Sequence, residues 1–221
     1  MSVYFPIGKH IQVKSAVELL AFQCQDTVIQ LATIYPGATF DLHHHPESQM
    51  GMVFDRGLEM NVDGKKVMLT PLEDVYVADA NVPHGSVNTS SETVLCFDVK
   101  RIVQTDELVT QKPGGSGKDK AGEAFFKLWP AKDAVTGLER KLGTGSWFDV
   151  IMTQIPPGGE MPVKKSVRDR MGIILNSQMI MTVGEERQRI EYGKIYYVPI
   201  GSSYRGYNES SQEVCLIEIE I

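Results

Sequence analysis

The chain writes one pattern twice. An offset of 121 positions carries Pro36-Gly37 onto Pro157-Gly158, Met50-Gly51 onto Met171-Gly172 and Met60-x-Val62 onto Met181-x-Val183. One deleted residue then brings Asn88-x-Ser90-Ser91 onto Asn208-x-Ser210-Ser211. Self-similarity at a fixed offset sets the architecture before any single residue does, so the chain is expected to be two copies of one fold.

That fold is β. From Thr27 onward come short runs rich in Val, Ile, Thr and Tyr, namely TVIQLATIY, GMVFD, LEMNV, KKVMLT, DVYVA and ETVLCFDVKRIV. Turn residues separate them, among them Asp63-Gly64 and Asn88 to Ser91. Closely spaced short strands with Asp-Gly turns predict an all-β sandwich or barrel. Residues 1–25 read as a lead-in, with Tyr4-Phe5-Pro6 pinning an edge and Val17 to Phe22 forming a short helix or strand. Residues 105–124 are polar and glycine-rich, which predicts a linker. Their GGSGK is no phosphate loop, because Lys112 stands where the first glycine belongs and Asp119 where Ser or Thr belongs. FFKLWPAKDAV, just after, is expected to hold a short helix or 3₁₀ turn. The domains expected are thus 1–104, with the lead-in, and 125–221, joined by 105–124.

The chemistry is concentrated in PGATFDLHHHPESQMG, residues 36–51. His43 and His45 are two apart, and a strand sends alternate side chains to one face. Two imidazoles on that face can bend onto one metal ion. Glu47 and Gln49 share the parity, although Pro46 predicts a turn or bulge there. His44 has the opposite parity. A further imidazole stands downstream in Pro83-His84-Gly85, followed by Asn88, which is expected to hold the turn after His84.

Composition removes whole classes of function. A net charge of −6 argues against a general nucleic-acid binder, which needs a basic face. No apolar run approaches a membrane span, and MSVYFPIGKH lacks a secretory apolar region. Cys24, Cys96 and Cys215 are odd in number and widely spaced. They make neither a disulfide framework nor a CxxC site, so a cytoplasmic setting is expected.

The histidine stretch resembles the cupin superfamily, whose first motif reads G-x5-H-x-H-x3,4-E-x6-G and whose second ends P-x-G-x2-H-x3-N. Gly37, His43 and His45 match the first; Gln49 replaces its Glu, and Gly57 comes one residue late. His84 and Asn88 match the second, with Asp79 and Asn81 replacing its Pro and Gly. The resemblance implies two tandem cupin (double-stranded β-helix, or jelly-roll) barrels. Within that superfamily HHHPESQMGMV, VPHGSVN followed by FDVKR, the opening YFP, and IPPGGEMP with MGI are similar to the bicupin isomerases of bacilysin (anticapsin) biosynthesis. This implies one divalent transition metal per chain (Fe, Mn, Co, Ni or Zn) on His43, His45, Gln49 and His84. It further implies an isomerase that moves a double bond in a prephenate-derived cyclohexadienyl 2-oxo acid.

The second copy departs from that pattern. Lys164, Ser166, Arg170 and Tyr204 stand where His43, His45, Gln49 and His84 stand in the first. A +2 ion about 4 Å from an ammonium is repelled by roughly 8 kcal/mol at an effective dielectric of 20, so that barrel is expected to hold no metal. Two readings of it stay open. Lys164 and Arg170 either satisfy local carboxylates such as Glu160 or Asp169, leaving the barrel to packing or to a homodimer, or make an anion pocket with Ser166 and Tyr204.

In the first barrel, neutral ligands leave a divalent ion its full charge, so the partner expected is a small anionic 2-oxo acid. The metal acts as a Lewis acid on it, and a base moves the proton. Glu47 is the first candidate for that base and Tyr76 the second; Glu47 as a rim residue or a brace for a ligand also stays open. An Fe(II) dioxygenase and a non-catalytic metal or small-molecule binder are the alternatives.

Overall fold

The computed structural model describes residues 2–103 and 123–221. The expected linker lies outside the described residues except for its last two. In the first copy the strands are β1 (Lys9–Lys14), β2 (Val17–Cys24), β3 (Thr27–Ile34), β4 (Thr39–His43), β5 (Ser48–Val53), β6 (Leu58–Val62), β7 (Lys65–Leu69), β8 (Asp74–Ala78), β9 (His84–Val87) and β10 (Val94–Arg101). The described chain then continues with β11 (Phe125–Lys127), β12 (Trp129–Lys132), β13 (Glu139–Thr144), β14 (Asp149–Ile155), β15 (Glu160–Lys165), β16 (Arg170–Ile174), β17 (Gln178–Val183), β18 (Glu186–Glu191), β19 (Ile195–Val198), β20 (Ser203–Tyr207) and β21 (Val214–Glu220). No helix occurs among the described residues.

Each copy is a two-sheet jelly-roll barrel. The first pairs the sheet β1-β2-β3-β10-β5-β8-β11 with the sheet β4-β9-β6-β7. The second repeats the order as β12-β13-β14-β21-β16-β19 and β15-β20-β17-β18. Alternation sorts the side chains. On the larger sheet of the first barrel Ala32, Ile34, Val53, Tyr76, Ala78 and Cys96 point into the barrel. Their neighbours Leu31, Met50, Met52, Val75, Phe97 and Val99 point outward. That outer face is packed against the matching face of the second barrel, where Phe148, Val150, Met152, Met171 and Ile217 belong to the same buried cluster. The two large sheets therefore bury their backs in one another, and both barrels share a central core.

The turns follow their residues. Asp63 and Gly64 have φ of 51° and 81°, the double positive φ of a two-residue hairpin, and Val62 pairs with Lys65 across it. Asn88 is a buried clamp. Its amide nitrogen donates to the carbonyls of Ile34 and Glu92, and its Oδ1 accepts from Ser90 N and Oγ. Asn208 repeats every one of these bonds with Ile155, Gln212 and Ser210. The sequence repeat is thus a repeat of hydrogen bonding.

One expectation is corrected, the helix or 3₁₀ turn in FFKLWPAKDAV, and two others are made definite. The lead-in of residues 1–25 holds two strands of the large sheet, and Val17 to Phe22 is strand. FFKLWPAKDAV forms β11 and β12 before a turn, with no helix. Tyr4-Phe5 does pin an edge, but of the second barrel: Tyr4 O accepts from Tyr197 N at 2.7 Å, and Phe5 is buried among Ile155, Met161 and Met179. Reciprocally, Val77 N donates to Ala124 O at 2.9 Å, and β11 pairs with β8 of the first barrel.

Candidate metal centre

His43 ends β4 and His84 begins β9, and the two are paired directly across the small sheet. His45 lies in the bend that follows, held there because its carbonyl accepts from Asn81 N at 2.8 Å. Asn81 adopts φ of 62°, the left-handed conformation for which the cupin pattern has a glycine and which Asn tolerates best among other residues. Gln49 reaches in from β5. The structure brings together all four side chains expected from the sequence, with ring centroids of 4.5 Å for His43 and His84, 4.8 Å for His45 and His84, and 5.7 Å for His43 and His45.

The tautomer is set by the backbone. Nδ1 of His43, His45 and His84 lies 2.9, 3.0 and 2.9 Å from the carbonyl oxygens of Asp41, Glu47 and Val82. A carbonyl only accepts, so each Nδ1 carries a proton, and in the neutral ring Nε2 is the nitrogen that holds the lone pair. Burial pushes His84 down to about 4, with its bond to Val82 opposing and the neighbouring His43, His45 and Lys100 adding to the depression, so it is neutral at physiological pH. Gln49 is fixed as well. Its Nε2 donates to Tyr76 Oη at 2.5 Å, which turns Oε1 toward the rings.

Oε1 then stands 3.1 Å from Nε2 of His45 and 3.2 Å from Nε2 of His84. All three atoms are acceptors. Lone pairs facing one another at that distance repel unless a cation lies among them, so the donor set fits a divalent metal of the imidazole-binding kind. Among the described residues the one group of three or more His, Cys, Asp or Glu with such convergence is His43, His45 and His84, whose ligand atoms lie within 4.8 Å of one another. His44 is exposed.

The two candidate bases flank the ligand set. Glu47 Oε2 is 3.3 Å from Nδ1 of His45, behind the ring and away from the face where the lone pairs meet. In that position it can brace His45. Tyr76 is buried, and desolvation first, then the charge of Asp98, push its phenol well above the usual value. It stays protonated and orients Gln49. Gly51 makes room for it, since a Cβ there would lie 2.6 Å from the Tyr76 ring and closer still to Phe97 O. Gly51→Ala is expected to lower stability by about 1–3 kcal/mol and to dislodge Tyr76, measurable as a reduced urea midpoint together with weakened metal binding.

The cavity behind the histidines is walled by Phe40, Val53, Leu58 and Met60 and also contains Asp98 and Lys100 of β10. Neither was singled out from the sequence. The signal was present, because in VLCFDVKR both share the parity of Cys96, an inward position.

The second barrel fills the same space with its own charges. Arg170 takes the place of Gln49 and pairs with Glu218 at 2.7 Å and with Glu220. Its guanidinium lies 5.0 Å from the ring centroid of Tyr204, the counterpart of His84. Lys164 goes to Asp133 at 3.4 Å. The partners expected from sequence, Glu160 and Asp169, are not used: Asp169 is occupied by Tyr197 Oη and Ile200 N. The packing reading fits this barrel better than an anion pocket, because Arg170 is already neutralised. Cys24, Cys96 and Cys215 are buried and free, and no described helix is long and apolar enough to cross a membrane.

Comparison with known proteins agrees with this geometry. The family model described as a cupin domain matches residues 30–100, which contain all four candidate ligands. The H2HPP isomerase of Bacillus subtilis is 28% identical over 196 residues, 88% of this chain and 79% of that protein. Among solved structures, AerE from Microcystis aeruginosa is 39% identical with a TM-score of 0.90, covering 100% of this chain and 99% of that one. An oxalate decarboxylase of Bacillus subtilis (12% identity, TM-score 0.73, 96% and 74% covered) and the 7S globulin of Momordica charantia (11%, 0.77, 100% and 84%) share the fold.

Proposed function

The chain belongs to the cupin family in its two-barrel form, and from that premise we propose that it is a metal-dependent isomerase of a small anionic 2-oxo acid. The observation that carries the proposal is the convergence of the His43, His45 and His84 imidazoles with Gln49 Oε1 at the mouth of a cavity that has an apolar wall of Phe40, Val53, Leu58 and Met60. The likeness to a relative named as an isomerase supports the reaction class. A divalent transition metal held by these four residues supplies Lewis acidity toward a carbonyl oxygen.

The residues do the rest. Gln49, neutral where the cupin pattern has a carboxylate, leaves the mouth attractive to an anion. Tyr76 holds the Gln49 amide so that its oxygen, not its nitrogen, faces the rings. Glu47 and the carbonyls of Asp41, Glu47 and Val82 hold the three imidazoles in the tautomer that presents Nε2. Phe40, Leu58 and Met60 give an apolar wall for a six-membered carbocycle and limit water around the reacting carbons. A prephenate-derived cyclohexadienyl pyruvate suits both halves of this site.

The test is turnover of such an acid under argon by protein loaded with zinc, cobalt or iron. The expected product has the mass of the substrate and, in D₂O, carries deuterium at the carbon that receives the proton. Strict dependence on oxygen and iron, with a product heavier by oxygen, would replace this reading by a dioxygenase. Binding without any exchange would leave a binding protein.

A further inference from the structure

Strand β10 lies beside both β3 and β5 in the large sheet. Val94 and Cys96 face the first barrel's interior. Two and four residues after Cys96, Asp98 and Lys100 keep that parity and line the same cavity as His43, Gln49 and His84. Lys100 is directly opposite Gln49, and Asp98 is opposite Gly51, whose other neighbour is Tyr76. The two charges are therefore one and two steps behind the metal ligands along the barrel wall. Nothing in the ligand geometry uses them.

Both are left open. Lys100 makes no hydrogen bond or ion pair through its side chain among the described residues, and Oδ1 of Asp98 is buried with no hydrogen-bond partner. Asp98 keeps some accessible surface, but it is surface toward the cavity. Charges left this way cost stability unless something with matching groups enters. The second barrel shows the alternative at the same register. There Glu218 and Glu220 are opposite Gly172 and Arg170. Glu218 accepts from Tyr196 Oη at 2.6 Å and pairs with Arg170, and Glu220 pairs with Arg170 and Arg168. One barrel neutralises these positions internally. In the other, Lys100 and Asp98 feel one another's charge without an ion pair or hydrogen bond between them, and both line the cavity.

We propose that Lys100 and Asp98 are the substrate-side half of the first barrel's site: Lys100 binds the carboxylate of the 2-oxo acid, and Asp98 carries the proton from one carbon to another. The assignment rests on the isomerase reading. In the first step a C–H bond next to the ketone breaks, its proton forms the O–H of Asp98, and its electron pair shifts onto the ketone oxygen as an enolate. In the second, the enolate pair returns through the conjugated double bond, the far carbon takes the proton from Asp98, and the carboxylate is restored. No oxidant or co-reactant is consumed.

The experiment uses the full chain loaded with zinc and phenylpyruvate as probe, with binding measured by calorimetry and solvent deuterium exchange at the methylene by NMR. Asp98→Asn is expected to keep its metal and its affinity while losing about 100-fold or more of the exchange rate. Lys100→Met is expected to keep its metal and weaken binding about 10- to 100-fold, the loss of a charged hydrogen bond. Asp98→Asn should also melt no lower than the parent, since it removes an unpaired buried charge, and Asp98→Ser repeats the test without the isosteric amide. Exchange by both Asp98 variants within about threefold of the parent, a marker well short of general-base loss, would overturn the role of Asp98. Unchanged affinity in Lys100→Met would overturn that of Lys100, and metal loss in either would show a bracing role instead. A parent protein that neither binds nor exchanges the probe would bring down the isomerase reading itself, a result distinct from any of these.

Discussion

His84→Ala is expected to leave the protein folded and unable to retain the metal proposed for the first barrel. His84 is 2% exposed, the most buried of the three imidazoles, and lies in contact range of both other rings and of Gln49 Oε1. Removing a group that merely orients a ligand costs about 10- to 100-fold in metal affinity, and removing the ligand itself costs more. Elemental analysis after dialysis should fall from about one metal per chain, the occupancy expected of a single closed donor set, to a trace. Full occupancy in this variant would sink the four-residue centre, as would two metals per chain in the parent. Gln49→Glu provides the contrast. Its carboxylate still coordinates, so the metal stays, but the added negative charge weakens binding of the anionic substrate.

Arg170→Met is expected to destabilise the second barrel by about 3–5 kcal/mol, the largest effect of any substitution away from the metal centre. Glu218 is fully buried, and its charge is balanced by Arg170, with a hydrogen bond from Tyr196. Without the guanidinium, Glu218 keeps only the phenol, and Glu220 keeps only Arg168. Urea denaturation reads the loss directly. Arg170→Met with Glu218→Gln should recover most of it, because a neutral amide and a thioether of similar length replace the pair without a stranded charge. A single-variant loss below about 1 kcal/mol, the range of exposed ion pairs, would mean that water reaches Glu218 and the network is not closed.

What could be read from sequence alone was whatever had a fixed local period or spacing. The repeat, the Asp63-Gly64 hairpin, the Asn88 clamp and the convergence of His43, His45, Gln49 and His84 all follow from residues that act on near neighbours or at strand parity. What could not be read was what depends on the tertiary partner. β1, KHIQVK, is exposed along its whole length and is a strand only because β2 lies beside it. FFKLWP becomes two strands because β8 and β13 offer open edges. Glu47 had the right parity, yet the bend at Pro46 turned its carboxylate behind His45. Arg170 found Glu218 and Glu220 some fifty residues on, a distance at which adjacent acids such as Asp169 are misleading guides.

The crossing of the short edge segments has a consequence for what counts as one unit. Tyr4 caps β19 of the second barrel through Tyr197, and Ala124 caps β8 of the first through Val77, the counterpart of Tyr197 in the repeat. Each barrel is completed by the arm that precedes the other. This is the connectivity of a symmetric, arm-exchanged pair of single-barrel chains joined end to end. The covalent join makes the two positions unequal, so equivalent residues can differ, as Arg170 differs from Gln49. Residues 1–103 alone would lack β11 at the edge of β8, and residues 123–221 alone would lack the Tyr4 carbonyl that caps Tyr197.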